Sequence, residues 1–154
     1  TTGGVMEAAL RTVAEVVAGK ELPKLEYNEV RGMEQTREAV IDVAGVSVKI
    51  AVVHTLKSAK MMLERIKAGT ADYQFIEVMA CPGGCVGGGG QPGPVDASIR
   101  QKRREAIFNC DRTSELRKSH ENPEIKTLYD TWLGKPLSEK AHSLLHTHYH
   151  AQNR

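Results

Sequence analysis

The sequence predicts an α/β fold, and three features of its apolar pattern carry the prediction. The stretch Val5 to Ala18 places its apolar residues at helical spacing and ends at a glycine. Residues 46 to 52 alternate valine and isoleucine with serine, lysine and alanine, which is the period of a strand. Between residues 46 and 79, signals for a strand, a helix and a second strand follow in that order, which is typical of parallel strands joined by a crossover helix.

The first strands are predicted after the opening helix. Asn28 to Met33 is a weak strand candidate, whereas Ala39 to Val43 and Val46 to Val53 have stronger patterns. Since Ala44 and Gly45 supply a tight connection between the last two, we expect a β-hairpin. This hairpin would form the margin of a larger sheet.

The crossover and the region after it are read from the same signals. Leu56 to Lys67 is predicted to be helical, and the apolar, aromatic run Tyr73 to Met79 fits a buried strand. Ala80 to Pro94 is rich in glycine, which excludes a helix or a regular strand there. Three further helices are predicted at Val95 to Asn109, Asn122 to Leu133 and Ser138 to Leu145.

We expect a boundary near Pro94, which divides an α/β part (residues 1–94) from a helical segment (residues 95–154). The chain begins at Thr1, in the middle of what resembles a helix entry, and not at a methionine. We therefore expect it to be a truncated piece of a longer protein.

Charge and hydropathy argue against two classes of partner. The chain has 21 basic and 19 acidic side chains, so it lacks the basic surface that nucleic-acid binding usually needs. The basic cluster at residues 100–104 is typical of a solvated helix face. No apolar run approaches the ~20 residues of a membrane span.

Cys81 and Cys85 are the strongest candidates for chemistry. They lie in the segment ACPGGCVGGGGQPGP, directly after a predicted strand. Thiolates bind soft metals, and iron–sulfur clusters are held by cysteine thiolates. The neighbouring glycines would let the backbone approach a cluster closely and turn its N–H groups toward the cluster sulfides. Pro82 presets part of the path of the loop.

Three other interpretations of this cysteine pair stay open. The segment could be a glycine-rich turn with two structural thiols, because free cysteine often behaves as a small apolar residue. It could be a thiol redox pair, although that chemistry usually places two residues between the cysteines and here there are three. It could also be a zinc site, which would need two further ligands, with histidines as the candidates.

The supply of other ligands is limited. A cubane cluster takes four protein ligands, whereas the third cysteine, Cys110, belongs to no motif. His142 and His146 are one helical turn apart and form a weaker metal candidate, since no carboxylate of the metalloprotease type accompanies them. His54 stands alone and is interpreted as structural. If a cluster binds, further ligands must come from elsewhere.

Three segments resemble the [FeFe]-hydrogenase family in the family's own order. FIEVMACPGGCVGGGGQP, from Phe75 to Pro92, is similar to its third cluster-binding motif. TGGVMEAALRT, from Thr2 to Thr12, resembles the segment that follows its second motif. The tail from Ser119 to Tyr149 is similar to the small-subunit segment that wraps the catalytic domain. The resemblance implies a partial lobe of that domain followed by a helical small-subunit-like segment.

The resemblance also implies a cofactor. The family combines protons and electrons into hydrogen at the H-cluster, a [4Fe-4S] cubane joined by one cysteine sulfur to a two-iron unit with carbon monoxide, cyanide and dithiolate ligands. By position in the motif, Cys81 would bind the cubane and Cys85 would bridge the cubane and the two-iron unit. Met79 would lie beside the two-iron unit, and Gly83 and Gly84 would give the cluster room.

The departures from the family are equally specific. Its first and second motifs, its proton-relay cysteine and its proton-path carboxylates are absent from this sequence. We therefore expect the chain to be inactive by itself, with the rest of the catalytic domain and ferredoxin or NAD(P)-linked electron-transfer subunits as partners. The continuous tail resembles the fused, cytoplasmic enzymes. The alternatives are an iron–sulfur or zinc-binding accessory or regulatory module, and a catalytically dead homologue that senses redox state.

Overall fold

The computed structural model describes residues 1–151, and the α/β class is confirmed. The helices and strands are α1 (Gly4–Ala18), β1 (Thr36–Val43), β2 (Val46–His54), α2 (Leu56–Lys67), β3 (Phe75–Met79), α3 (Ala97–Thr113), α4 (Pro123–Leu128) and α5 (Glu139–Leu145). Short 3-10 turns lie at Asn28–Val30, Cys85–Gly87 and Ser119–Glu121, and a π-helical turn lies at Tyr129–Leu133. None of the helices described combines the length and apolar character that crossing a membrane requires.

The described strands form one sheet in the order β1-β2-β3. β1 and β2 are antiparallel and joined through Ala44 and Gly45, whose φ angles of 53° and 88° are typical of a type I′ hairpin. β2 and β3 are parallel, with α2 as their crossover. The predicted hairpin at the margin of the sheet and the predicted crossover unit are therefore both confirmed.

Each face of the sheet carries one helix. Because side chains alternate along β2, Ile50 and Val52 pack toward α1, while Ala51 and Val53 pack toward α2. The α1 core also contains Met6, Leu10, Ala14, Tyr27, Val30, Ile41 and Val43, and the α2 core contains Ala59 and Met62. Two apolar layers thus hold the sheet between the helices.

The parallel pairing brings two strand ends together. His54 and Met79 are register partners at the carboxyl ends of β2 and β3, and the Thr55 N–H donates to the Met79 carbonyl at 2.9 Å. In open α/β sheets this edge is where ligands collect. The glycine-rich segment leaves the sheet at this edge.

Two predictions are corrected. Asn28 to Met33 is not a strand: its N–H groups bond locally, as from Arg31 to the Asn28 carbonyl at 3.1 Å, and form a 3-10 turn. Tyr73 to Met79 does contain β3, but the strand is only partly buried: Glu77 is buried, whereas Val78 is 53% exposed. β3 lies at the edge of the described sheet, so one side of it has no neighbouring strand there.

The predicted helices of the second half exist with shifted bounds. α3 begins at Ala97 because Asp96 caps it, accepting from the Ile99 N–H at 2.8 Å. Asn122 caps α4 and Ser138 caps α5, as their sequence positions suggest. α4 ends at Leu128, where the π-helical turn begins.

The described residues form two compact units, one of residues 1–117 and one that begins at Lys118. α3 belongs to the first unit, where its Asp111 pairs with Arg11 of α1 at 2.6 Å. In the second unit, the Ser138 hydroxyl donates to the Leu133 carbonyl at 2.7 Å and so joins the π-helical turn to α5. The sequence-based division near residue 94 stays a prediction.

Candidate metal centre

Cys81 to Gly84 form a tight turn directly after β3. The Gly84 N–H donates to the Cys81 carbonyl at 2.9 Å, Pro82 occupies the second position, and Gly83 has a φ of +78°. This combination is a type II β-turn, which needs glycine at the third position. Cys85 follows immediately and opens a 3-10 turn, in which the Gly88 N–H bonds to the Cys85 carbonyl at 3.1 Å. One rigid turn therefore separates the two cysteines.

The two cysteines share one cleft. Its volume is about 590 Å³, within the range of protein ligand sites, and its lining includes Met79, Cys81, Gly84, Cys85 and Gly88. Both thiols are free; Cys81 is half-buried and Cys85 is exposed. A Cβ at Gly88 would lie in van der Waals contact with the Cys81 sulfur, at 3.8 Å, and closer to the Cys85 carbonyl oxygen, at 3.3 Å. A ligand in this cleft would therefore meet both cysteines.

The flanking residues have clear packing roles. A Cβ at Gly84 would lie 2.6 Å from the Met79 sulfur and 2.7 Å from the Thr2 nitrogen, and at Gly83 it would lie 2.7 Å from the Met33 methyl carbon. Gly84 is thus required by its close approach to the Thr2 backbone, whereas Gly83 is favoured by its φ of +78°, since the methyl end of Met33 could move. Met79 and Gly84 line the cleft, while the Cβ position of Gly83 points at Met33. Their expected role beside a cluster stays a prediction.

Glu77 anchors the start of α1 beneath this loop. The side chain is 7% exposed, and its two oxygens accept from the Gly3 N–H at 2.6 Å and the Met6 N–H at 2.7 Å. N–H groups at a helix N-terminus have no partner within the helix, and a negative charge is favourable there. Glu77 supplies both the partner and the charge. Thr2, just before the helix, then donates its N–H to the Gly83 carbonyl at 2.9 Å. Sequence reasoning missed Glu77, although an acid inside an apolar strand was a usable signal.

His54 contacts the loop from the sheet. It is 4% exposed; its Nδ1 accepts from the Gly83 N–H, and its Nε2 lies 3.2 Å from the Met33 carbonyl oxygen. A structural role was expected from sequence, but not a contact with this turn.

α3 holds the glycine-rich segment from a third direction. Arg103 donates to the Val86 carbonyl at 3.1 Å and to the Pro92 carbonyl at 2.7 Å. Two hydrogen bonds from one guanidinium therefore join the part of the loop that follows Cys85 to the helix.

An ion-pair network fastens α1 to α3. Asp111 accepts from Arg11 at 2.6 Å and from Arg117 at 2.7 Å, and buried Glu7 pairs with Arg31 at 2.7 Å and with Arg11 at 3.3 Å. The hydrogen bond from Arg11, with that from Arg117, holds the pKa of Asp111 at about 2. The two helices that flank the cysteine loop are thus tied to each other.

The other candidate ligands do not complete the site. Cys110 is exposed on α3 and is not among the residues that line the cleft. Within residues 1–151, neither Cys81 nor Cys85 belongs to a group of three or more His, Cys, Asp or Glu ligand atoms that converge. The rings of His142 and His146 stack edge-on with centroids 4.3 Å apart, and within the same residues they too belong to no such group.

Comparisons with known proteins cover nearly the whole sequence, including both cysteines of the cleft. Residues 1–89 match the family described as iron only hydrogenase large subunit, C-terminal domain, and residues 97–152 match iron hydrogenase small subunit. The NADP-reducing hydrogenase subunit HndD of Solidesulfovibrio fructosivorans is 48% identical over 99% of this chain and 26% of its own length. Cytosolic iron-sulfur assembly component 3 of Rattus norvegicus is 31% identical over 97% of this chain and 31% of its own length.

A solved structure supports the same family. A variant of the [FeFe]-hydrogenase HydA1 from Chlamydomonas reinhardtii matches with a TM-score of 0.73 and 46% identity, over 97% of this chain and 44% of that one. The chain thus spans about a quarter to a third of these curated relatives and less than half of the solved one. On the two family matches and the structural likeness together, this chain belongs to the iron-only hydrogenase family.

Proposed function

We propose that this chain forms part of the hydrogen-activating site of an [FeFe]-hydrogenase, with Cys81 and Cys85 as its ligands to the H-cluster. The observation that carries the proposal is the pair of free thiols separated by one type II turn and opening into one cleft. In this proposal Cys81 would be a ligand of the cubane, and Cys85 would be a ligand that the cubane shares with the two-iron unit. When bound, the H-cluster supplies the iron chemistry that combines two protons and two electrons into hydrogen.

The donor set and its surroundings fit part of such a group. Two thiolates suit iron, and solvent reaches both cysteines, since Cys81 is half-buried and Cys85 is exposed. Met79 and Val78 give the cleft an apolar wall, and an apolar shell limits water around a metal group and influences its potential. The task of this chain is to bind and orient, since we assign no catalytic acid or base to it.

A cubane takes four protein ligands, and this cleft offers two cysteines. We propose that the remaining ligands come from the rest of the catalytic domain, and that the chain by itself is inactive. Electrons would then arrive through a ferredoxin or NAD(P)-linked subunit. The presence of both family segments in one chain supports a fused enzyme, for which we propose a cytoplasmic location.

The test uses the native protein that contains this chain, purified without oxygen. Intact mass, iron, zinc and acid-labile sulfide are measured together with hydrogen evolution from reduced methyl viologen. We expect iron, sulfide and activity, with most of the iron and all of the activity lost in Cys81→Ser and Cys85→Ser. Cys110→Ser is the matched control, because its thiol lies outside the cleft. Unchanged iron in Cys81→Ser and Cys85→Ser would overturn the assignment of the ligands.

A second function is favoured by a specific finding, the similarity over 97% of the chain to an iron-sulfur assembly component. In that case the chain belongs to an accessory or regulatory module, in which the same cysteines bind a cluster or zinc without hydrogen chemistry. The same preparation separates the two functions. Cysteine-dependent iron or zinc without hydrogen evolution or uptake supports the accessory module and contradicts the enzyme.

A further inference from the structure

Both ring nitrogens of His54 are engaged, and this decides its chemical form. Nε2 lies 3.2 Å from the Met33 carbonyl oxygen, which can only accept, so Nε2 carries the proton. Nδ1 then has a free lone pair and accepts from the Gly83 N–H at 3.2 Å. The residue is 4% exposed, so water cannot readily replace either partner. One neutral tautomer of His54 therefore joins the Met33 segment to the cysteine turn.

The bonded N–H is the one that defines the turn. Type I and type II turns differ by a rotation of about 180° of the peptide between their second and third residues, here the Pro82–Gly83 peptide. In the observed type II form the N–H of this peptide points to His54, whereas in a type I turn it would point to the opposite face. The Gly83 carbonyl is held separately by the Thr2 N–H at 2.9 Å.

His54 acts from behind the loop. It is not among the residues that line the cysteine cleft; it lines a separate cavity of about 400 Å³ with Met33, Pro82 and Gly83. It is thus placed to direct the backbone between the cysteines, without a place among their ligands.

We infer that His54 is a positioning residue for the metal centre: its Nδ1 holds the Pro82–Gly83 peptide in the type II orientation and so fixes which polar backbone groups the turn presents beside the two thiols. The consequence for a metal rests on the proposed function, whereas the control of the turn does not. A flipped peptide would reverse the directions of the Gly83 N–H and the Pro82 carbonyl, and with them the backbone dipoles around a ligand shared by the two cysteines.

Two substitutions test the contacts of the two ring nitrogens of His54 separately. In His54→Asn the side-chain oxygen replaces Nδ1, so the acceptor for Gly83 is kept and the Met33 contact is lost. In His54→Gln the amide nitrogen replaces Nε2, so the Met33 contact is kept and the acceptor for Gly83 is lost. A residue that only fills space would not distinguish the two variants in this direction.

The first readout is hydrogen exchange of the Gly83 amide in the metal-free protein, together with the rate at which a disulfide reagent modifies Cys85. Loss of one hydrogen bond, about 1 kcal/mol, predicts roughly fivefold to tenfold faster exchange in His54→Gln. In His54→Asn we expect exchange and thiol reactivity close to wild type. The second readout is the midpoint potential and the electron paramagnetic resonance spectrum of the cluster in the complete protein, which should change in His54→Gln alone.

The outcomes distinguish this inference from the proposed function. If the two variants exchange Gly83 equally, whether fast or slow, the positioning role is overturned. If His54→Gln alone speeds exchange but the wild-type protein contains no iron, the positioning role stands and the proposed function fails. If His54→Gln alone changes both exchange and cluster spectrum, both are supported.

Discussion

Substitution of Gly84 by alanine is the sharpest test of how the cysteine turn is built. Gly84 has φ 83° and ψ −154°, a region that is essentially restricted to glycine and costs about 1 to 3 kcal/mol for other residues. The added Cβ would also lie 2.7 Å from the backbone nitrogen of Thr2, which the Gly83 carbonyl already holds. Overpacking of this kind costs about 1 to 3 kcal/mol. We therefore expect Gly84→Ala to lose about 2 to 6 kcal/mol of unfolding free energy.

The assay is urea unfolding of the native protein, combined with iron content after anaerobic purification. Gly89→Ala is the matched control: Gly89 lies in the same segment but outside the cleft lining, has no positive φ, and its Cβ would meet nothing within 4 Å. The control should change the unfolding free energy by less than about 1 kcal/mol. If Gly84→Ala and Gly89→Ala unfold at the same urea concentration and keep the same iron, the turn is not constrained as described.

Three further predictions concern the supports of the site. Glu77→Gln should lower the free energy of unfolding in urea by about 2 to 4 kcal/mol, because two buried donors lose a charged acceptor. The control Glu64→Gln, at an exposed position, should stay within about 0.5 kcal/mol of wild type. Equal losses in the two variants would contradict the role of Glu77 as an anchor of α1. Asp111 has a lowered pKa of about 2, so its ion pairs stabilise the fold above about pH 4 and are lost as the pH falls toward 2. Asp111→Asn should cost about 1 kcal/mol at neutral pH and flatten this acid dependence, which urea unfolding at several pH values measures. Arg103→Ala should speed amide exchange across residues 86–91, while Lys102→Ala, at an exposed position, should not. The reverse result would contradict the role of α3 in holding the loop.

Local patterns were sufficient for most of the fold. The alternation in β2 and the Ala44-Gly45 connection predict the hairpin, because turn geometry and a half-buried face are both encoded by neighbouring residues. The strand predicted at 28–33 is wrong for the opposite reason. Val30 is apolar because it is buried in the α1 core, and a buried turn places the same apolar residue types in the sequence as a buried strand does.

In the candidate site, too, the local motif could be predicted and the long-range contacts could not. The cysteines and glycines were found because they form one contiguous motif. Glu77 and His54 were not assigned to the loop, because their partners lie 74 and 29 residues away, at Gly3 and Gly83. Such bonds depend on which strand ends meet at the sheet edge, and no local periodicity encodes that. The parallel pairing of β2 with β3 had to be known before either role became visible.

The supports of the loop fix the backbone around the two cysteines of the proposed metal centre. His54 holds the Gly83 N–H, Thr2 holds the Gly83 carbonyl, and Arg103 holds the segment after Cys85, so the backbone is restrained without any use of the thiols. Ordering a residue costs about 1 to 2 kcal/mol, and this cost is met when the chain folds and not when the ligand binds. Both sulfurs therefore remain available in a preset geometry. In the proposed site, the binding free energy of a cluster would then go into joining this chain to the residues that supply the other ligands.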